Sequence, residues 1–256
     1  MNDHVLGAER IAEALRGHAG GIAAAVAGTD PDARVPTCPE WTLRDLVGHI
    51  GQAHRWAADF IRDGETDLVT QVPRTAPDAP ADWPGWLRDG ADDLVRAFEA
   101  DPGRTVAHPV MGPRPAAMWL RRMLHDTAVH HADAAFATGV AYEVAPDVAA
   151  DGICEWLVLV SEPAAATFRP ELAELRGRGE TLALRPSEPS VPGWVITRAP
   201  DGIAWERASR DGDLTIAGPV RDLMLVFARR LAPGDAEVKV TGDRALLDHW
   251  LARTAF

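Results

Sequence analysis

The chain has 256 residues, a formal net charge of −12, 46% hydrophobic and 25% charged residues, the balance of a folded protein with one large domain or two ordinary ones rather than of a disordered chain. Its 26 lysines and arginines form no basic stripe, which excludes nucleic acid as the expected partner. A few arginines can still converge on a small anion.

The N-terminus MNDHVLGAERIAEALRGHAGG has neither the basic start nor the apolar core of a signal peptide. No stretch approaches the roughly 20 apolar residues of a membrane span. The expectation is therefore a cytoplasmic protein with no membrane partner, in which Cys38 and Cys154 stay thiols. No interface helix stands out, so a monomer is expected.

A first helix is expected over about 4–27, with apolar positions at Val5, Ile11, Leu15 and Ile22. The segment TDPDARVPTCPEW reads as a loop. The second helix opens at Thr42, with Asp45 three residues on as a capping-box partner, and Leu46, Val47, Ile50, Ala53, Ala57 and Ile61 keep helical period. A loop covers about 66–82, and a third helix runs from Pro84 to Ala100. After a loop with Pro102, Pro109, Pro113 and Pro115, a fourth helix spans about 116–138 and ends at Gly139. A fifth helical segment is expected over about 146–168.

The character changes after about 175. The runs TLALRP, WVITRA, IAWERA and DLTIAG read as strands, separated by turn signals such as Asp201-Gly202 and Asp211-Gly212. A helix over about 219–231, the strand AEVKVTG and a last helix over about 243–252 follow. The fold class is thus α+β, with a helical bundle over 1–172 and a small α+β domain over 173–256.

Chemistry concentrates on the fourth helix. Asp126 and His130 are four apart and stack on one face, so both side chains reach one metal ion. Asp133, a further turn on, is placed to accept from the other ring nitrogen of His130. His49, at the edge of the second helix's apolar stripe, faces inward as a third ligand. Two histidines and a carboxylate leave a tetrahedral zinc with one open position, the pattern of a catalytic rather than a structural site. The bland alternative is that His49 is a satisfied boundary residue and the Asp/His pair a solvated one, worth only about 0.3–0.5 kcal/mol. Cys38 has no CxxC partner and is read as neither ligand nor nucleophile. No GxSxG and no phosphate-binding glycine loop occurs.

The string VPTCPEWTLRDLVGHIGQAHRW resembles the N-terminal signature of the mycothiol-dependent maleylpyruvate isomerase family, within the DinB-like superfamily of metal-binding four-helix bundles. Pro39, Trp41, Thr42, Asp45, Leu46, Val47 and His49 carry it, and Arg121, Arg122, His125, Asp126, Val129, His130, Asp133 and Ala134 carry a second signature. The family's three metal ligands fall on His49, Asp126 and His130. Asp126 stands where the family usually has Glu, one methylene longer, and His131 where it often has Arg. The C-terminal run DLMLVFARRLAPGDAEVKVTGDRALLDHW resembles the family's sterol-carrier-like second domain. Its site arginine maps onto Arg230, with Arg229 as the neighbouring candidate.

The resemblance implies zinc and the small thiol mycothiol as cofactors, with a small electrophile as the other partner. Arg230, and more weakly Arg122, would hold a carboxylate. Thiol transfer and cis–trans isomerisation both follow from such a site. Two alternatives stay open: a metal-dependent hydrolase using the open position for water, and a non-catalytic binding or regulatory module on the same scaffold.

Overall fold

Thr42 starts its helix as the sequence requires. Its hydroxyl accepts from Asp45 N at 3.2 Å, and the Asp45 carboxylate accepts from Thr42 N at 2.9 Å. This reciprocal box satisfies backbone donors that a helix start leaves without partners. The computed structural model describes residues 6–64, 72–107 and 112–254. The first residues of the expected helix 4–27, part of the expected loop 66–82, and Pro109 lie outside these.

The first of two units runs from Leu6 to Glu143. It holds α1 (Ala8–Val26), α2 (Leu43–Asp63), α3 (Trp83–Ala100) and α4 (Ala116–Thr138). α1 and α2 each pack against both α3 and α4, so the four make a four-helix bundle. Gly139 ends α4 at φ 72°, a left-handed conformation that costs glycine nothing. Leu46, Val47 and Ile50 on α2 are fully buried with Ile22 and Leu87. Each such side chain contributes about 1.5–3 kcal/mol of burial.

The segment expected as a loop before α2 is a small antiparallel hairpin, β1 (Arg34–Val35) and β2 (Cys38–Thr42). Its strands are too short to show alternation. Fully buried Val35 belongs to the bundle core. A second short pair, β3 (Thr105–Val106) and β4 (Arg114–Pro115), precedes α4.

The second unit contains Val144–Phe256. The expected helix 146–168 stops early, as α5 (Pro146–Ser161), because Pro163 interrupts it before the four-residue α6 (Ala165–Phe168). The boundary expected at 172/173 lies instead between Glu143 and Val144. The reason is packing: α5 rests on β7 (Gly202–Arg207) and α7 (Val220–Phe227), and its apolar Ile153, Trp156 and Leu157 are buried. β5 (Glu180–Pro186), β6 (Trp194–Ala199), β8 (Leu214–Gly218) and β9 (Lys239–Gly242) complete a sheet ordered β7-β6-β5-β8-β9. Only β5 and β8 pair in parallel. The final helix is α8 (Arg244–Arg253). The helix expected over 219–231 is shorter, since Arg229 turns left-handed at φ 59°. Cys38 and Cys154 are free thiols. No helix among the described residues is long and apolar enough to cross a membrane.

Two buried histidines in the bundle add to its acid sensitivity. His54 on α2 meets Thr127 Oγ1 at 2.8 Å, and that hydroxyl donates to Met123 O at 2.6 Å, so His54 Nε2 is the donor. Burial lowers the His54 pKa from 6.5 to about 4, against a partial upward pull from Asp126. Burial, with the neighbouring His131, lowers His18 from 6.5 to about 3. The unfolded chain therefore takes up these protons first as pH falls. The stability contributed is full above about pH 6.5 and is lost towards pH 4 and 3. Each histidine adds a slope of at most about 1.4 kcal/mol per pH unit. Urea unfolding followed by helix circular dichroism should show a lower midpoint at pH 5 than at pH 7, and His54→Gln should flatten that difference.

Candidate metal centre

α2 and α4 lie side by side, and this brings His49 to the α4 face that carries Asp126 and His130. His49 Nε2 stands 3.4 Å from Asp126 Oδ2. The donor atoms of His49, Asp126 and His130 all lie within 4.8 Å of one another. Bonds of 2.0–2.1 Å to a tetrahedral ion separate two ligand atoms by roughly 3.3 Å, so the His49–Asp126 pair already has a ligand-like spacing. The shorter arm of Asp126 therefore suffices to join the group. All three side chains keep a little solvent contact, 17% for His49, 22% for Asp126 and 9% for His130, so a small molecule can reach them.

Asp133 orients His130. Its fully buried carboxylate accepts from His130 Nδ1 at 2.8 Å. With the proton on Nδ1, the lone pair of the neutral ring is on Nε2, the tautomer a metal requires. The same carboxylate accepts from the Thr37 hydroxyl at 2.6 Å and the Cys38 thiol at 3.7 Å. Cys38, His130 and Asp133 also place donor atoms within 4.8 Å of one another, but here they are joined to one another by hydrogen bonds.

Trp41, on β2, completes the surroundings. Its ring centroid lies 4.9 Å from that of His49 and 5.3 Å from that of His130, nearly parallel to the latter. The signature contained Thr37, Cys38 and Trp41 without giving them a task. Their position just ahead of the Thr42 cap is the signal that could have done so, since the cap fixes β2 relative to His49.

The other expected site residues are placed differently. Arg122 does not stand ready for an anion: its Nη2 lies 3.2 Å from Asp126 Oδ1, one helical turn away. Burial alone would raise the Asp126 carboxyl. The hydrogen bond from His49 and the Arg122 guanidinium, with His130 adding to them whenever it is protonated, more than reverse this and hold it well below the usual carboxylate range. Arg230 belongs to the second unit, where its Nη1 donates to Ala228 O at 3.0 Å.

Donor type, spacing and the Asp133 relay fit a single divalent metal of borderline softness such as zinc. Residues 9–135 match the family described as the mycothiol maleylpyruvate isomerase N-terminal domain. No curated protein matches the chain in sequence. Two solved structures, of the mycothiol-dependent maleylpyruvate isomerase and of a single-site mutant of it, share its fold. Each has a TM-score of 0.56 at 14% identity, over 94% of this chain and 95% of that one.

Replacing Asp133 by Ala should leave the half-buried hydroxyl of Thr37 and the buried ring N–H of His130 without their acceptor. The expected cost is about 2–4 kcal/mol of stability, measured by denaturant unfolding. Cys38 should also react faster with a thiol reagent, a signal free of Cys154, which is fully buried.

Proposed function

We propose that this chain, which belongs through residues 9–135 to the mycothiol maleylpyruvate isomerase N-terminal domain family, is a mycothiol-dependent thiol transferase or isomerase whose zinc is held by His49, Asp126 and His130. The observation that carries this reading is the convergence of those three donors, with Asp133 fixing the His130 tautomer. When bound, zinc would supply the positive charge that keeps a small thiol as its reactive thiolate near neutral pH.

The protein's own groups do the rest. Two neutral imidazoles and one carboxylate would add a single negative charge to a bound divalent ion, leaving it net positive towards an anionic sulfur. Arg122 braces Asp126 and keeps it ionised. Trp41 walls the site on one side and leaves water fewer approaches to the reacting sulfur. A small electrophile brought against that sulfur accepts it. If the adduct persists, the outcome is transfer. If an unsaturated acid adds the sulfur, rotates and expels it, the outcome is isomerisation. Arg230 remains our candidate, from family resemblance, for a carboxylate of the substrate or thiol.

Elemental analysis of protein purified without chelator or added metal should find about one zinc per wild-type chain and little in His130→Ala. Consumption of mycothiol with an electrophile should fall more than about 100-fold in that variant. A wild-type chain that is metal-free and refuses added zinc would overturn the reading.

A further inference from the structure

Arg122, which the sequence offered for anion recognition, is committed to Asp126. Its neighbours on the bundle are committed too. Arg34 donates to Glu40 O, Arg44 to Pro77 O and Asp78 O, and Arg55 to Gly51 O and Trp86 O. Arg74 differs. Its side chain is exposed, and its contact is with a ring: Cζ lies 5.3 Å from the centroid of Trp41. Among the described residues, no hydrogen bond or ion pair engages it. The nearby acid Asp45 is held in the cap of α2, where it accepts from both N and Oγ1 of Thr42.

Trp41 is also the residue that touches both histidines of the metal group. The guanidinium is therefore one indole away from His49 and His130. Its backbone is fixed there as well. Gln52 Nε2 donates to Thr75 O at 3.0 Å. A Cβ at Gly48 would collide with the Arg74 carbonyl, so glycine at this position, next to His49, is what lets residues 74–75 lie directly on α2. A guanidinium laid over an indole keeps its N–H edges free, and those edges match a carboxylate with two parallel bonds.

We propose that Arg74, held over Trp41, is the residue at the mouth of the metal centre that recognises the carboxylate of an acidic electrophile. This rests on the functional reading above in placing an electrophile at the centre, and it selects acidic over neutral ones. The chain's charge of −12 makes the device useful, because an anion approaching an acidic protein needs a local cation to be retained.

The test is calorimetric binding of fumarate and of its neutral counterpart fumaramide to the zinc-loaded full chain. Arg74→Ala should weaken fumarate binding by about 10- to 100-fold, the range for a lost charge-assisted pair. Arg74→Lys should recover part of the loss, since it supplies the charge without the fork. Fumaramide binding should not change in either variant, and Arg88→Ala, an exposed arginine on α3, should leave both ligands unaffected. The inference is overturned if wild type does not bind fumarate, if Arg74→Ala stays within twofold of wild type, or if both ligands weaken together. Thiol-dependent turnover is read separately. Fumarate binding through Arg74 without such turnover would keep this inference and remove the functional reading. Turnover on acidic substrates indifferent to Arg74 would do the reverse.

Discussion

A buried carboxylate with several donors around it organises the N-terminal unit. Asp133 has no solvent contact, and an ion in that position persists only where hydrogen bonds replace its water. Thr37 and Cys38 come from β2 and the turn before it, and His130 comes from Asp133's own helix. One charge thus ties the hairpin to α4 and sets the proton of an imidazole in the candidate metal group. Replacing it by an apolar residue would remove a fold contact and a functional contact together.

The second constraint is the cap at Thr42. It joins the end of β2 to the start of α2 with almost no slack, because Thr42 is both the last residue of the strand and the N-cap of the helix. Trp41, one residue before the cap, and His49, about two helical turns after it, are therefore placed by the same junction. Asp133 fixes the same strand from the α4 side. The hairpin is held at both ends between the two helices that supply the donors, and Trp41 has little choice but to lie over both histidines. A site built on rigid elements in this way is positioned before any ligand arrives.

How much of this the sequence carries depends on the range of the interaction. The four bundle helices were legible because their signals are local: helical period, the Thr42 and Asp45 pair, Gly139 as a stop. His49, Asp126 and His130 were legible as a group because two sit one helical turn apart and family signatures supply the third. The hairpin was not, since two- and five-residue strands show no period. The division of the chain was misplaced because α5 has the pattern of a bundle helix, and only its packing on β7 and α7 reveals which core it serves. The pairing of Arg122 with Asp126 follows from their spacing, yet spacing alone could not decide between a brace for the metal group and a free anion site. Arg74 was invisible, because its contact with Trp41 crosses a long stretch of chain and leaves no periodic trace.

That brace also bears on Asp126, the position at which the family resemblance leads one to expect a glutamate. Asp126 offers Oδ2 towards His49 and leaves Oδ1 to Arg122. A carboxylate shared with an arginine donates less charge to a cation than one left alone. An ion held by it would keep more of its own positive charge, and a more positive centre deprotonates a bound thiol more readily. The same sharing keeps the short side chain aimed, since Arg122 fixes one oxygen while the other meets His49. Asp126 and Arg122 therefore act as a pair: the short reach of the aspartate is offset by orientation, and on the reading proposed above its weaker electron donation would favour a thiolate at the bound ion.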